Sequence, residues 1–203
     1  MTMRGIMPDR RMRGFSLLEM VVVVAIGLIA TGVSIMSLQP VLRQNRVTGA
    51  YNTTLMAIRR AREASIGERR RYLVRFSNAV IPNTISITPA DPAPGGVRVT
   101  YTLPNDVQCT VVTGMPAAAS DGFGNGTTSI DFDQNIATPT RTDIYFYPDG
   151  SAQDLNNNIN NGVVYVARPG DVTSSTAITL WGATGRLRGW KYTTAGGARW
   201  IQQ

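Results

Sequence analysis

The chain has 203 residues, a formal net charge of +7, one cysteine and no histidine. The missing histidine excludes catalytic Ser-His and Cys-His pairs, and a lone cysteine cannot form an internal disulfide. The length is enough for one domain with a core of its own beside a short anchor.

A basic cluster precedes a long apolar run near the N-terminus, with Arg4, Arg10, Arg11 and Arg13 against Asp9. The run from Met20 to Leu42 holds 23 uncharged residues. A helix needs about 20 residues to cross the apolar core of a bilayer, so this segment can span a membrane. Because an excess of positive charge beside a span tends to stay cytoplasmic, we expect the part after Leu42 to lie outside the cytoplasm.

Glu19 is an acid at the start of this apolar run. A charge at the centre of a span costs about 2.5 to 3.5 kcal/mol and less near an end, so Glu19 needs a partner. Cleavage between Gly14 and Phe15 would create an α-amino group four residues away, which a parallel neighbouring subunit can pair with the carboxylate. Desolvation offsets much of that attraction, so the pair would mainly set the register between subunits. The alternative is a glutamate tolerated at the membrane boundary.

The run Gly14-Phe-Ser-Leu-Leu-Glu19 resembles the class III signal of type IV pilins and type II secretion pseudopilins. The resemblance implies that residues 1–14 are a leader, which a prepilin peptidase removes after Gly14. It also implies that the new amino group of Phe15 is methylated and that Glu19 guides assembly through a transmembrane helix of residues 15–42. An ordinary secretory signal would have a shorter apolar core without an acid and an A-x-A-like cleavage site.

Residues 43–70 are predicted to form an amphipathic stalk helix. An apolar stripe of Val47, Tyr51, Leu55 and Ile58 has the spacing of one helix face and should pack on the domain that follows. Arginines would cover the other face. A solvated face is the default for such a charge run, and the alternatives are anionic lipid head groups or acidic neighbours in an assembly.

Residues 71–203 are predicted to form a mostly antiparallel β domain, because short β-branched and aromatic runs alternate with Pro, Gly and Asn. The fold class is therefore α+β. We expect Cys109 to be a small buried residue in a strand, and exposed loops at residues 89–96, 114–126 and 156–161. The predicted strands are residues 71–76, 97–103, 107–112, 129–133, 142–147, 163–167, 177–181 and 186–191.

A second resemblance covers residues 144–192. Phe146-Tyr-Pro-Asp-Gly150, a strand ending at Arg168, Ile178-Thr-Leu180 and Gly185-Arg-Leu-Arg-Gly189 resemble the GspH/FimT family of minor pseudopilins and minor pilins. The resemblance implies two small sheets packed on the stalk helix. It implies a structural subunit of a type II secretion pseudopilus or a type IV pilus, anchored in the bacterial inner membrane with its domain in the periplasm and other pilins as partners. The long middle of the chain and the tail of residues 196–203 depart from a compact family member.

Three basic residues near the C-terminus, Arg186, Arg188 and Lys191, are candidate DNA contacts. Cations can neutralise phosphates, and the tryptophans and tyrosine interleaved with them can stack on unpaired bases. In some DNA-uptake minor pilins the G-R-x-R element contacts DNA, so the resemblance implies this alternative function. In the competing interpretation, Arg186 and Arg188 share a strand face and pair with Asp143 or Asp149, while the tryptophans fill the core.

No catalytic residue, metal site or cofactor is predicted. Asp131-Phe-Asp-Gln-Asn135 imitates the first half of a calcium loop, but Ile136 stands where glycine is needed, so we expect a strand end. The segment from Asp149 to Asp154 is predicted to be a turn, with calcium binding as the less favoured alternative. Residues 122–126 lack the lysine of a phosphate-binding loop.

Overall fold

The structure, a computed structural model, describes residues 16–91, 96–116, 122, 124, 126–132, 142–154 and 156–203. A long helix, α1 (Leu17–Glu68), precedes a series of strands, which confirms the α+β class. The strands in the described residues are β1 (Tyr72–Ser77), β2 (Thr84–Pro89), β3 (Val99–Thr102), β4 (Ile130–Asp131), β5 (Asp143–Phe146), β6 (Ala152–Gln153), β7 (Gly162–Arg168), β8 (Asp171–Trp181), β9 (Arg186–Thr193) and β10 (Arg199–Gln202).

The chain divides into two compact units at Leu42 and Arg43. In the first unit, residues 16–42 are exposed along their whole length. Helix α1 contains an 18-residue stretch with a mean hydropathy of 2.5, none of which is buried. Among the described residues it is the one helix whose length and composition would allow it to cross a membrane.

In the second unit, α1 packs one face on the β domain. The predicted stripe is confirmed, because Val47, Tyr51 and Ile58 are buried and Leu55 is partly buried against the same core. Small residues complete the face and allow close packing: Ala50, Thr54, Ala57, Ala61 and Ser65. The helix ends at Glu68, and Arg69 takes a φ of 51°, the left-handed conformation that commonly follows a helix end.

Ten strands form two five-stranded sheets in the described part of the chain, and every strand pair is antiparallel. Sheet I has the order β3-β2-β1-β5-β6, and sheet II has the order β10-β9-β8-β7-β4. The main core joins α1, sheet I and one face of sheet II, including Tyr72, Ile144, Val164 and Ile178. The other face of sheet II carries a second cluster, the outer cluster, of Met115, Val163, Tyr165, Ala177, Trp190, Tyr192 and Trp200.

The strand predicted at residues 107–112 is wrong. The segment makes a single bridge, between Gln108 and Ala167, and the amide of Cys109 donates instead to Oδ1 of Asn83 at 2.7 Å. Cys109 is buried, as predicted, but it lies in a loop. Strands β2, β6 and β10 are not among the predicted strands, and β8 begins at Asp171, six residues before the predicted start at Ala177.

Two of the predicted loops contain buried residues. In the predicted loop at residues 114–126, Met115 belongs to the outer cluster. A Cβ built on Gly124 would lie 2.2 Å from the hydroxyl of Tyr165, so Gly124 also packs on sheet II. In the third loop Asn160 is 1% exposed. Asp131 lies in β4, whereas residues 133–135 of the calcium-like segment lie outside the described residues.

Candidate functional site

The first candidate site is the start of α1, where Glu19 lies exposed in the first turn of the helix. The carbonyl of Ser16 accepts the first hydrogen bond of the helix, from the amide of Met20 at 3.1 Å. Ser16 and Glu19 have the spacing of a capping box, a signal that the sequence reading missed. A carboxylate here complements the partial positive charge of the helix N-terminus. Gly14 and Phe15, the predicted cleavage and methylation residues, lie outside the described residues.

Beyond Glu19 the helix presents an apolar surface as far as Leu42. Its hydroxyl groups are satisfied within the helix: Thr31 donates to the carbonyl of Gly27 at 2.7 Å, and Ser34 donates to that of Ala30 at 2.8 Å. Small residues with hydroxyls bonded in this way let helices approach closely in an apolar environment. This surface can therefore pack in lipid or against similar helices.

The second candidate site is the Gly185-Arg-Leu-Arg-Gly189 element, whose two glycines lie against α1. Gly185 has a φ of 62°, and a Cβ there would lie 2.4 Å from Nε of Arg62. A Cβ on Gly189 would lie 1.6 Å from the hydroxyl oxygen of Tyr51. The element thus needs glycine at both ends for the strand to reach the helix.

Arg62 joins this element to the Phe146–Gly150 turn. Its Nε donates to the carbonyl of Gly150 at 3.1 Å, and its Nη2 donates to the carbonyl of Thr184 at 3.0 Å. The amide of Ala152, in β6 directly after the first turn, donates to the carbonyl of Gly182 at 2.7 Å, which adds a second link to the turn before Gly185. The prediction that the arginines cover the solvated face of the stalk is wrong for Arg62, although Arg43, Arg46, Arg59 and Arg60 are exposed.

Strand β9 brings together two of the three predicted DNA-contact residues. Arg186 is exposed and faces Trp181 across the strand pair, and the half-buried Arg188 faces Thr179. Because side chains alternate along a strand, Arg186 and Arg188 share a face and Lys191 lies on the opposite one. The structure therefore does not place all three cations on one surface.

The pairing of these arginines with Asp143 or Asp149 is not found. Asp143 lies 3.4 Å from Nη2 of Arg75. Asp149 accepts hydrogen bonds from the hydroxyl and the amide of Ser151, which lower the pKa of its carboxyl group. The tryptophan part of that interpretation holds for Trp190 and Trp200, which are buried, whereas Trp181 is 42% exposed.

A groove of about 360 Å³ lies beside Arg186, between α1 and the start of β9. Three guanidinium groups and one carboxylate line it, and its lining residues are Arg59, Arg62, Glu63, Gly185, Arg186 and Leu187. Within the described part of the chain neither Arg59 nor Arg186 forms an ion pair. The excess positive charge can therefore accept an anionic group such as a phosphate.

The Asp149–Asp154 segment begins as a turn, as predicted, and continues into β6, and its carboxylates accept hydrogen bonds from the protein itself. The carboxylate of Asp154 accepts hydrogen bonds from the amides of Asn156 and Asn158 at 2.7 and 2.9 Å. Among the described residues no group of three or more His, Cys, Asp or Glu side chains could hold a metal ion.

Comparison with known proteins identifies the N-terminal segment. The family model described as the prokaryotic N-terminal methylation motif matches residues 9–35, which include Gly14, Phe15 and Glu19. The match confirms the resemblance of this segment to the signal of type IV pilin-like proteins. Neither a curated protein nor a solved structure matches the chain. The resemblance of residues 144–192 to the GspH/FimT family stays a prediction.

Proposed function

We propose that this chain is a minor pseudopilin or minor pilin, a structural subunit of a type II secretion pseudopilus or a type IV pilus. A prepilin peptidase cleaves it after Gly14, Phe15 becomes the methylated N-terminus, and the segment from Phe15 to Leu42 enters the filament. The observation that carries the proposal is the methylation motif at residues 9–35, continuous with an exposed apolar helix.

The charge of the N-terminal helix supports assembly with similar subunits. Glu19 is its one charged residue between Leu17 and Leu42. A carboxylate in an apolar helix is costly unless it finds a partner, and the α-amino group of Phe15 on a neighbouring subunit would supply one. At 4 Å and an effective dielectric constant near 20, two unit charges attract by about 4 kcal/mol before desolvation is subtracted. The pair would thus favour one axial register between neighbours.

Membrane anchoring before assembly follows from the same helix, and the orientation follows from its flanks. The arginine-rich leader would stay in the cytoplasm. The helix would then cross the bacterial inner membrane, and the β domain would lie in the periplasm. The partners are other pilins of the filament and the prepilin peptidase.

The experiment is substitution of Glu19 in the native host. Glu19→Gln keeps the size of the side chain and removes its charge, so the protein should reach the membrane and be processed but be lost from the sheared filament fraction. Glu63→Gln, which changes an exposed acid in the second unit, is the control and should assemble normally. Normal incorporation of the Glu19→Gln subunit into filaments would contradict the proposal.

A second candidate function is DNA binding by the same subunit, and the groove beside Arg186 favours it. Arg59 and Arg186, which form no ion pair within the described residues, contribute two guanidinium groups to a site that also contains Arg62. Trp181, 42% exposed and opposite Arg186 in the strand pair, offers a ring on which a base can stack.

Two double variants test this candidate with the full chain in detergent and single-stranded DNA. Arg186→Gln with Arg188→Gln, and Arg59→Gln with Arg186→Gln, should each weaken binding and lower the slope of log K against log salt by about 0.7 for each lost phosphate contact. Lys191 lies on the opposite face of β9, so Lys191→Gln is the matched control. Unchanged affinity in both double variants would reject DNA binding at this site and would leave the proposed assembly function unaffected.

A further inference from the structure

The loop between β1 and β2, residues 78–83, exposes apolar side chains at its tip. Val80 is 67% exposed and Ile81 is 54% exposed, and Pro82 beside them is also exposed. Exposed loop tips are usually polar, so two aliphatic residues in succession need an explanation. We call this segment the tip loop.

Asn83 holds the tip loop in place. Its side chain is 1% exposed; Nδ2 donates to the carbonyl of Val80 at 3.1 Å, and Oδ1 accepts from the amide of Cys109 at 2.7 Å. Its own carbonyl accepts from the amide of Leu103 at 2.9 Å. The two apolar side chains are thus presented by a preorganised backbone, which lowers the entropic cost of a contact.

The tip loop lies at the end of the β domain where α1 enters it. The segment of residues 103–109, bonded to Asn83, also contains Asp106, whose Oδ2 lies 3.3 Å from Nη1 of Arg46. Asp106 is three residues from Leu103, so their Cα atoms are at most about 11 Å apart. We call this end of the domain, with Val80, Ile81 and Arg46, the Arg46 end.

The Arg46 end also carries positive charge. Arg46 remains 59% exposed despite its contact with Asp106, and Nε of Arg168 lies 3.8 Å from the same carboxylate. Arg43, one helical turn before Arg46, is exposed and directly follows Leu42, the last residue of the apolar run. Exposed aliphatic side chains at the same end of the domain as exposed arginines have the chemistry of a membrane-surface contact, and one of these arginines, Arg43, directly follows the apolar run.

We propose that the Arg46 end binds the lipid surface while the subunit waits in the membrane, with Val80 and Ile81 at the boundary between head groups and acyl chains. Arg43 and Arg46 then lie near anionic head groups. A second copy of the chain fits less well, because four acids of the described residues, Glu68, Asp91, Asp106 and Asp143, are already in ion pairs with the chain's own arginines and fewer are left to meet Arg43 and Arg46. The inference rests on the membrane anchoring in the proposed function.

The test uses the full chain in a Cys109→Ala background, with a single bimane label, reconstituted in vesicles of phosphatidylcholine and phosphatidylglycerol. Labels are placed at Val80→Cys, at Ala183→Cys in the exposed turn between β8 and β9, and at Ala30→Cys in the apolar segment. Brominated lipid should quench the label at residue 80 at least about threefold more strongly than the label at residue 183. Omitting phosphatidylglycerol, or adding Arg43→Gln, should reduce the quenching at residue 80.

The three labels separate the possible failures. Strong quenching at residue 30 with equal, weak quenching at residues 80 and 183 would overturn the inference and leave the anchoring intact. Absence of quenching at residue 30 would contradict both. Emission at residue 80 that changes with the ratio of protein to lipid, but not with brominated lipid, would indicate contact with a second copy and would also overturn the inference.

Discussion

The hydroxyl oxygen of Tyr51 occupies the space that a side chain at Gly189 would fill, since a Cβ built there would lie 1.6 Å from it. Gly189, the last residue of the G-R-x-R-G element, is therefore constrained by the stalk helix, and this packing explains its glycine without a ligand. Gly185 is constrained by packing as well, because a Cβ there would lie 2.2 Å from the carbonyl of Gly150 and 2.4 Å from Nε of Arg62 on the stalk helix.

Gly189→Ala should destabilise the domain by about 1 to 3 kcal/mol, the usual cost of overpacking a tight contact. Tyr51→Phe in the same chain should recover part of that loss, because it removes the oxygen and leaves the ring. Gly49→Ala is the control. Gly49 lies on the exposed face of α1, away from the helix ends, with open space around it, so the substitution should stabilise the domain by about 0.5 to 1 kcal/mol. Thermal unfolding followed by near-ultraviolet circular dichroism measures all three. Equal stability of Gly189→Ala and the wild type would contradict the packing.

Arg62→Gln should lower the free energy of unfolding by about 1 to 3 kcal/mol, because two carbonyls lose a charged donor. Arg59→Gln, three residues earlier and exposed, should change it by less than about 0.5 kcal/mol. Hydrogen exchange at the amides of Gly150 and Gly185 provides a local readout, and protection there should fall in Arg62→Gln alone. Similar losses in both variants would mean that the turns are held by other contacts.

The free energy of unfolding of the domain should vary with pH because of Glu68. The hydroxyl of Tyr72 donates to Oε2 of Glu68 at 2.6 Å and Arg98 donates to Oε1, and these bonds lower the pKa of Glu68 from 4.5 to about 2. A carboxylate with a lowered pKa stabilises the fold above its unfolded pKa, and this contribution is lost as the pH falls through the folded value. The loss should therefore occur as the pH falls from 4.5 towards 2.

Tyr72→Phe removes the hydrogen bond that lowers this pKa most, so the pKa of Glu68 should rise towards 4.5. The acid-induced fall in melting temperature should then be smaller than in the wild type and should end at a higher pH. Tyr145→Phe, whose hydroxyl forms no hydrogen bond with a carboxylate in the described part of the chain, is the matched control. Melting curves over a pH series distinguish the two variants. Superimposable pH profiles for Tyr72→Phe and the wild type would show that Glu68 does not depend on this donor.

Cys109 should be inert in the folded protein. Burial raises the pKa of its thiol to about 12, so the reactive thiolate is scarce at neutral pH and the sulfur is also inaccessible. Ellman's reagent should modify it only at the rate of unfolding, whereas an exposed thiol introduced by Ala183→Cys should react at once. Rapid modification of Cys109 in native protein would indicate an open loop around residues 107–112.

The helix and most strands could be predicted because their patterns are local. The apolar run and the stripe from Val47 to Ile58 have helical spacing. Thr84-Ile-Ser-Ile-Thr88 alternates as a strand does, but asparagine and proline surround it, which weakens the signal for β2. Strand β10 is short and terminal, and it forms because Trp200 packs against Tyr192, with ring centroids 5.5 Å apart. That contact depends on β9 being in place.

The N-terminal motif could be recognised in the sequence because it is one short run, whereas the role of Arg62 could not be predicted. Its hydrogen-bond partners lie 88 and 122 residues further along the chain, and only the fold brings them together. The sequence therefore does not distinguish a solvated arginine on the stalk, such as Arg59, from one that donates hydrogen bonds to two turns, as Arg62 does. The orientation of Lys191 away from Arg186 followed from strand alternation and was available from the sequence.

Mass spectrometry of the protein isolated from its native membranes tests the central claim most directly. We expect a mature chain that begins at Phe15, carries one methyl group on its α-amino nitrogen and has lost residues 1–14. A chain that retains the residues before Gly14, or that begins at another residue with an unmodified amino group, would contradict it.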